Sequence, residues 1–318
     1  VNDRAPLPPT IRQRAFLVGT ALGSGVNEHR LRADDLVRPH WGVRSPRVQH
    51  DVDDRARELA LVLGADQALS HATAAQLWQI PLPSWLRRDP RLHITTLGDD
   101  RTVRRPGVVG HRTRNASTRV IHVDGIPVTD PLTTLVALGS VLTLDDLIVA
   151  GDALVGELRL ATVDELRAAV DRAGRVRGAR TLRAALDEVR PGSRSPGETR
   201  TRLVLTRNGL PEPELNHDVV VSGRWVACVD LAYPETRVAI EYDSDLHRTD
   251  ADAYRKDLTR SERLKDVDWW PVRSTAFDVG AGSTEFVARV RRLLAAGMSG
   301  THRPDGPGPP NHRVGAFR

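Results

Sequence analysis

The spacing of apolar positions along this chain changes its period several times. Ala15–Leu22 reads as a helix, Gly23-Ser24-Gly25 as a turn and Asn27–Leu36 as a second helix. Arg38–Arg44 follows as a turn and short strand. Helix, turn, helix and basic strand in that order outline a winged helix over residues 1–50. A small helical cap on the next domain fits the same pattern equally well. In the next segment Val52, Ala56, Leu59, Ala60 and Leu63 recur at helical spacing, and Ser70 is placed to cap a helix that turns Ala74, Leu77 and Trp78 inward. Leu92–Thr96, Val108–His111, Val120–Val123 and Ile126–Thr129 then read as strands. Residues 131–189 return to helices, with Leu166, Val170, Leu182, Ala185, Leu186 and Val189 on the apolar faces. Residues 51–190 therefore form an α+β middle domain. Arg190–Pro196 is the clearest linker in the chain, and a second α/β domain spans 195–296. The Gly- and Pro-rich residues 297–318 predict a disordered tail.

Inside the second domain, Arg224–Tyr233 and Thr236–Asp243 read as two adjacent strands around Pro234-Glu235. A tight loop at Glu235-Thr236 sets Asp230 opposite Glu241, with Cβ atoms roughly 5 Å apart. Val229, Leu231, Val238 and Ile240 alternate to the opposite side, and Ala232 and Ala239 leave room near the acids. Two carboxylates so placed repel and lose water, and a divalent ion such as Mg²⁺ or Mn²⁺ between them removes both penalties. Asp243 shares the strand face of Glu241 by two-residue alternation. His247, four residues on, is the candidate for proton transfer. Ser195, Pro196 and Glu198 have the spacing of a capping box, which is a sufficient structural reason for Glu198; the functional reading points it at the acid pair as well. Glu198, Arg202 and Leu205 share a helical stripe. Asp252–Val267 reads as a helix offering Arg255, Lys256 and Arg260 to phosphates, although a solvated helix face explains these bases as well.

Composition narrows the field. The 318 residues carry a net charge of +5, which suits a nucleic-acid partner without requiring one. Apolar residues make up 40%, yet none of their runs is long enough for a membrane span. No secretion signal is evident, and one cysteine, Cys228, cannot form an internal disulfide or a Cys-based zinc site, so the expected compartment is cytoplasmic. His93, His111 and His122 fall on expected strands, where they are read as outward-facing and not as ligands.

Several motifs together carry a family resemblance. They are Ser195-Pro196-Gly197-Glu198 with Arg202, Gly209-Leu210-Pro211-Glu212-Pro213, Asp230-Leu231-Ala232-Tyr233-Pro234, Glu241-Tyr242-Asp243 with His247-Arg248, Arg255 with Asp257, and Trp270-Pro271-Val272-Arg273. Over 195–296 the chain resembles an actinobacterial family whose C-terminal domain is related to very-short-patch-repair endonucleases of the PD-(D/E)XK superfamily. Ser70–Trp78 and Gly125–Pro131 resemble the AbiEi-type antitoxin region of the same proteins. The resemblance implies a restriction-endonuclease-like mixed sheet flanked by helices, with Asp230 and Glu241 as metal ligands, Glu198 as the acid of the first helix and His247 as proton carrier. It implies Mg²⁺- or Mn²⁺-dependent cleavage of DNA. Its alternative is an antitoxin-like DNA-binding regulator with a cognate toxin, reading DNA through Arg30 and Arg32 beside an inactive nuclease fold. Three departures keep that alternative open: Asp243 stands at the superfamily's lysine position, as is usual in the family itself, Ser244 replaces a turn glycine, and Pro271 interrupts a core strand.

Overall fold

The computed structural model describes residues 5–46, 51–243 and 259–298. The chain divides into two compact units, Val1–Thr199 and Arg200–Arg318. His247, Arg255, Lys256 and the tail beyond residue 298 lie outside the described residues.

The first unit opens with β1 (Phe16–Leu17), α1 (Val18–Gly23), α2 (Glu28–Leu31) and β2 (Val43–Arg44). The two short strands pair antiparallel, and Leu7, Ile11, Phe16, Ala21, Val26, Leu31 and Leu36 form a local core. The second helix is shorter than the periodicity predicts. The Asn27 side chain caps it by accepting from the Arg30 amide, and it ends at Leu31. Arg30 then folds back on the following turn, with two hydrogen bonds of 2.8 Å to the Asp35 carboxylate.

The rest of this unit joins a sheet to helices. In chain order these are α3 (Val52–Ala60), β3 (Gln67–Leu69), α4 (His71–Leu77), α5 (Ser84–Arg87), β4 (Leu92–Leu97), β5 (Val108–Thr113), β6 (Val120–Val123) and β7 (Ile126–Thr129). The sheet order is β5-β4-β3-β7-β6. Strand β3 was not legible in the sequence: three residues between two helical patterns show no alternation, and only the pairing with β4 and β7 makes them a strand. Four helices follow, α6 (Pro131–Leu138), α7 (Leu144–Val155), α8 (Val163–Ala173) and α9 (Ala179–Glu188). Their apolar stripes are buried as the spacing predicts, including Leu166, Val170, Leu182, Ala185, Leu186 and Val189.

The expected linker does not separate the units. Asp152 on α7 is fully buried and accepts hydrogen bonds from the Arg190 amide (2.8 Å) and the Thr199 hydroxyl (2.9 Å). Ser193 also bonds to Thr199. One carboxylate thus holds residues 190–199 to the first unit, and the division falls within α10 (Pro196–Arg207).

The second unit has a sheet of order β11-β10-β9-β8, built from β8 (Glu214–Val221), β9 (Arg224–Tyr233), β10 (Val238–Tyr242) and β11 (Trp270–Ser274). Residues 259–265 are helical (α11), and α12 (Ser283–Met298) closes the unit. The β8–β9 and β9–β10 pairs are antiparallel and the β10–β11 pair is parallel, so the sheet is mixed. Leu231, Tyr233, Val238, Ile240 and Val272 pack with Leu205 of α10 and with Phe286, Val287, Val290 and Leu294 of α12. A second cluster joins Ala232 and Ala239 to Leu264 and Trp269. Pro271 is tolerated because β11 is an edge strand. Trp270 donates its amide to the Arg237 carbonyl, so by alternation the position of Pro271 faces away from the ladder, where a missing N–H breaks nothing. The observed architecture is α/β: a largely helical N-terminal region with its own sheet, and a C-terminal mixed sheet flanked by helices. Among the described residues no helix is long and apolar enough to cross a membrane.

Replacing Asp152 with alanine removes the acceptor shared by the half-buried Arg190 amide and the buried Thr199 hydroxyl. The expected result is a loss of about 3 kcal/mol from the first unit in chemical denaturation, with faster proteolysis across 190–199.

Candidate metal centres

Among the described residues one cluster of three side chains, His71, His93 and His111 in the first unit, could hold a metal ion, and the acids expected to do so lie in the second unit. In the second unit β9 and β10 pair with Tyr233 opposite Val238, Ala232 opposite Ala239 and Leu231 opposite Ile240. The pairing ends there, and Asp230 and Glu241 are the next residue on each strand beyond the last pair. The connection is wider than the tight pair predicted: a 3₁₀ turn at Pro234–Thr236 ends on Arg237 in the left-handed region (φ 53°). It extends by one residue on each side, so its centre and the register are unchanged. Asp230 is half-buried, and its Oδ2 accepts from the Tyr242 amide at 2.8 Å, which draws the carboxylate toward β10 beside Glu241.

Glu241 is 7% exposed. Its Oε1 lies 2.9 Å from Arg260 Nε on α11, a close ion pair whose two atoms do not align as a hydrogen bond. Asp243 donates its amide to the Ser274 carbonyl, and its Oδ2 lies 3.3 Å from Arg273 Nη1. Arg273 is the ladder partner of Glu241. Two guanidinium groups therefore share the charge of this acidic face. The donor set is hard carboxylate oxygen, which suits Mg²⁺ or Mn²⁺. An ion seated on Glu241 would have to share that carboxylate with Arg260.

The remaining expected site residues are placed as follows. Glu198 belongs to the first unit, where it is buried; its amide donates to Ser195 Oγ (3.2 Å) and its Oε2 accepts from the Arg194 amide (2.8 Å). The glutamate thus caps one residue upstream of the position in a reciprocal box. Arg202 is corrected as a nucleic-acid contact: it is 2% exposed and donates to Glu212 Oε1 at 3.0 Å. Its stripe faces inward with Leu205, as the spacing predicts, and that burial removes it from solvent. Arg30 is corrected on the same ground, since its guanidinium is buried on Asp35 and the Ala5 carbonyl. Arg32 is exposed and pairs with Glu28 at 2.6 Å. Arg260 is half-buried and turned to Glu241.

The cluster in the first unit overturns the expectation for two histidines. β4 and β5 run parallel with His93 beside Val109 and Thr95 beside His111, so His93, Thr95 and His111 share one face. That face meets the start of α4 instead of solvent. His71 and His93 are buried and His111 is half-buried. His93 Nδ1 lies 3.0 Å from His111 Nε2, and the His71 and His111 rings stack with centroids 3.6 Å apart. One nitrogen from each of the three comes within 4.8 Å of the others, so the cluster can hold a metal ion. His122, by contrast, is exposed as expected.

Hydroxyl groups line this cluster. Ser70 Oγ lies 3.0 Å from His71 Nδ1 and accepts from Thr95 Oγ1 at 2.7 Å. The His93 amide donates to Thr73 Oγ1. His71 has a positive φ of 48°, which is strained for a residue with a Cβ, and it directs the helix start against the sheet. The sequence signal was present but weak. His93 and His111 are separated by eighteen residues, and only a parallel pairing brings them together.

Burial holds the three rings neutral. It pushes the His71 pKa well below the usual histidine range, and the neighbouring His111 and His93 rings push it further the same way, since a second proton in the cluster would repel the first. His111 is pushed down to about 4, by burial first and then by His93. His93 is lowered, again chiefly by burial. A group whose pKa is depressed on folding contributes stability above its unfolded value, near 6.5, and loses it as pH falls toward the folded value. In metal-free buffer the melting temperature of the first unit should fall as pH drops from 6.5 toward 4. Glutamine at position 111 should flatten that profile; an unchanged slope in the variant would contradict it.

Comparison with known proteins adds similarity without a described activity. The chain is 29% identical over 261 residues to uncharacterised proteins from two strains of Mycobacterium tuberculosis, CDC 1551 / Oshkosh and ATCC 25618 / H37Rv. In each case the match covers 81% of this chain and 92% of the relative. No protein-family model matches the chain, and no solved structure matches it.

Proposed function

We propose that this protein is a metal-dependent DNA endonuclease whose second unit is a restriction-endonuclease-like core. The observation that supports the reading is the hydrogen bond from the Tyr242 amide to the Asp230 carboxylate, which ties that acid to β10 at the residue after Glu241. Asp230 and Glu241 would hold Mg²⁺ or Mn²⁺, which supplies water activation and neutralises charge on the scissile phosphate. Arg260 is the counter-ion that faces Glu241 in its buried position before the metal arrives. Asp243 lies beyond Glu241 on the same strand path, and His247, four residues further, is the proton-transfer candidate of this reading. Arg255 and Lys256 are its phosphate contacts.

Plasmid nicking in Mg²⁺ or Mn²⁺ tests this directly. Wild type should convert supercoiled DNA to open circles, and Asp230→Ala or Glu241→Gln should slow conversion by at least about a hundredfold, equivalent to ~2.7 kcal/mol of barrier. Equal rates in wild type and Asp230→Ala would remove the nuclease reading.

One observation favours a second reading. Arg260 at Glu241 and Arg273 at Asp243 offset the acidic charge without an ion. On this reading the protein is an antitoxin-like regulator that binds DNA without cutting it. Gel shifts of the full chain at two salt concentrations would then show salt-sensitive binding with no cleavage.

A further inference from the structure

We propose that His71, His93 and His111 form a binding site for a borderline transition-metal ion of the Zn²⁺ class, separate from the carboxylate pair and serving to pin the start of α4 to β4 and β5. The argument begins with donor chemistry. Three neutral imidazoles and no carboxylate favour Zn²⁺, Co²⁺ or Ni²⁺ over Mg²⁺ or Ca²⁺. At a Zn–N distance of about 2.0–2.1 Å, two nitrogens on a tetrahedral ion stand roughly 3.3 Å apart. His93 Nδ1 and His111 Nε2 already stand 3.0 Å apart, and one nitrogen from each of the three rings lies within 4.8 Å of the others.

The surroundings point the same way. His93 is buried, and its Nε2 has no hydrogen-bond partner. With Nδ1 turned to His111, this imidazole is left half-used inside the protein, an arrangement that costs free energy unless the cluster gains something in return. Ser70 Oγ sits 3.0 Å from His71 Nδ1, placed to fix that ring so that its other nitrogen is available to an ion. Thr95 Oγ1 donates to Ser70 Oγ and so holds the serine in turn. The left-handed backbone at His71 is a strained conformation held where the ring meets its two partners. Each histidine comes from a different element, so an ion shared among them would cross-link α4, β4 and β5. Three protein donors leave a fourth position to a water or hydroxyl group.

The test uses the full chain, stripped with chelator and titrated with Co²⁺ or Zn²⁺. Wild type should take up one equivalent. The Co²⁺ form should show the visible absorption of a nitrogen-ligated, low-coordinate ion, and the first unit should melt at higher temperature when loaded. His111→Gln, at the half-buried position, should weaken binding more than about a hundredfold, and Ser70→Ala about tenfold. Excess Mg²⁺ should not displace the ion. The Asp230→Ala, Glu241→Gln double variant should bind Zn²⁺ like wild type, so this site and the nuclease reading fail independently. No stoichiometric Co²⁺ or Zn²⁺ uptake by wild type would overturn the proposal. So would wild-type affinity in both His93→Gln and His111→Gln. If His93→Gln fails to fold, His111→Gln and the wild-type Co²⁺ spectrum still decide.

Discussion

The antiparallel register of β9 and β10 is the constraint on which the second unit depends. Residues alternate across a strand, so a slip of one position would drive Leu231, Val238 and Ile240 out of the core and turn the acids inward instead. The apolar set facing α10 and α12 holds the register. The same lock leaves small Ala232 and Ala239 beneath α11, with Asp230 and Glu241 just beyond the last pair. Packing on one side of the sheet thereby defines the chemistry available on the other.

The electrostatics of that acidic face are more balanced than a bare pair of carboxylates. A buried glutamate needs compensation, and Arg260 provides it at 2.9 Å while Arg273 faces Asp243. A guanidinium can serve such a face in two ways. It can hold the acids in place until a metal ion competes for them, or it can offset their charge for good. The geometry accommodates either, and the distinction lies in the relative strength of one divalent ion and one arginine for Glu241.

The first unit solves a different problem with related means. Its buried polar groups are concentrated at two places: Asp152, which ties the segment after α9 to α7, and the histidine and hydroxyl network under α4. Both are local agreements between elements far apart in sequence. Each is costly to bury alone, which makes each a specific lock once its partners are in place.

Local periodicity alone was enough to place most elements. The strands at Val120–Val123 and Ile126–Thr129, the helical stripes through Leu166 and Leu186, and β9 with its central aspartate were all legible because each is written in consecutive residues. The register of the β9–β10 hairpin was legible for the same reason, since a hairpin is a local structure. Other features required the assembled fold. A three-residue strand such as β3 has no period, and the parallel β4–β5 ladder that unites His93 with His111 depends on a long-range pairing no local pattern encodes. Arg30 and Arg202 look like surface bases in sequence, yet they are buried against Asp35 and Glu212, acids five and ten residues on that no helical or strand period pairs with them. Consecutive residues determined the elements and their faces; tertiary contacts decided which polar groups those faces would enclose, because burial and charge pairing are properties of neighbours in space.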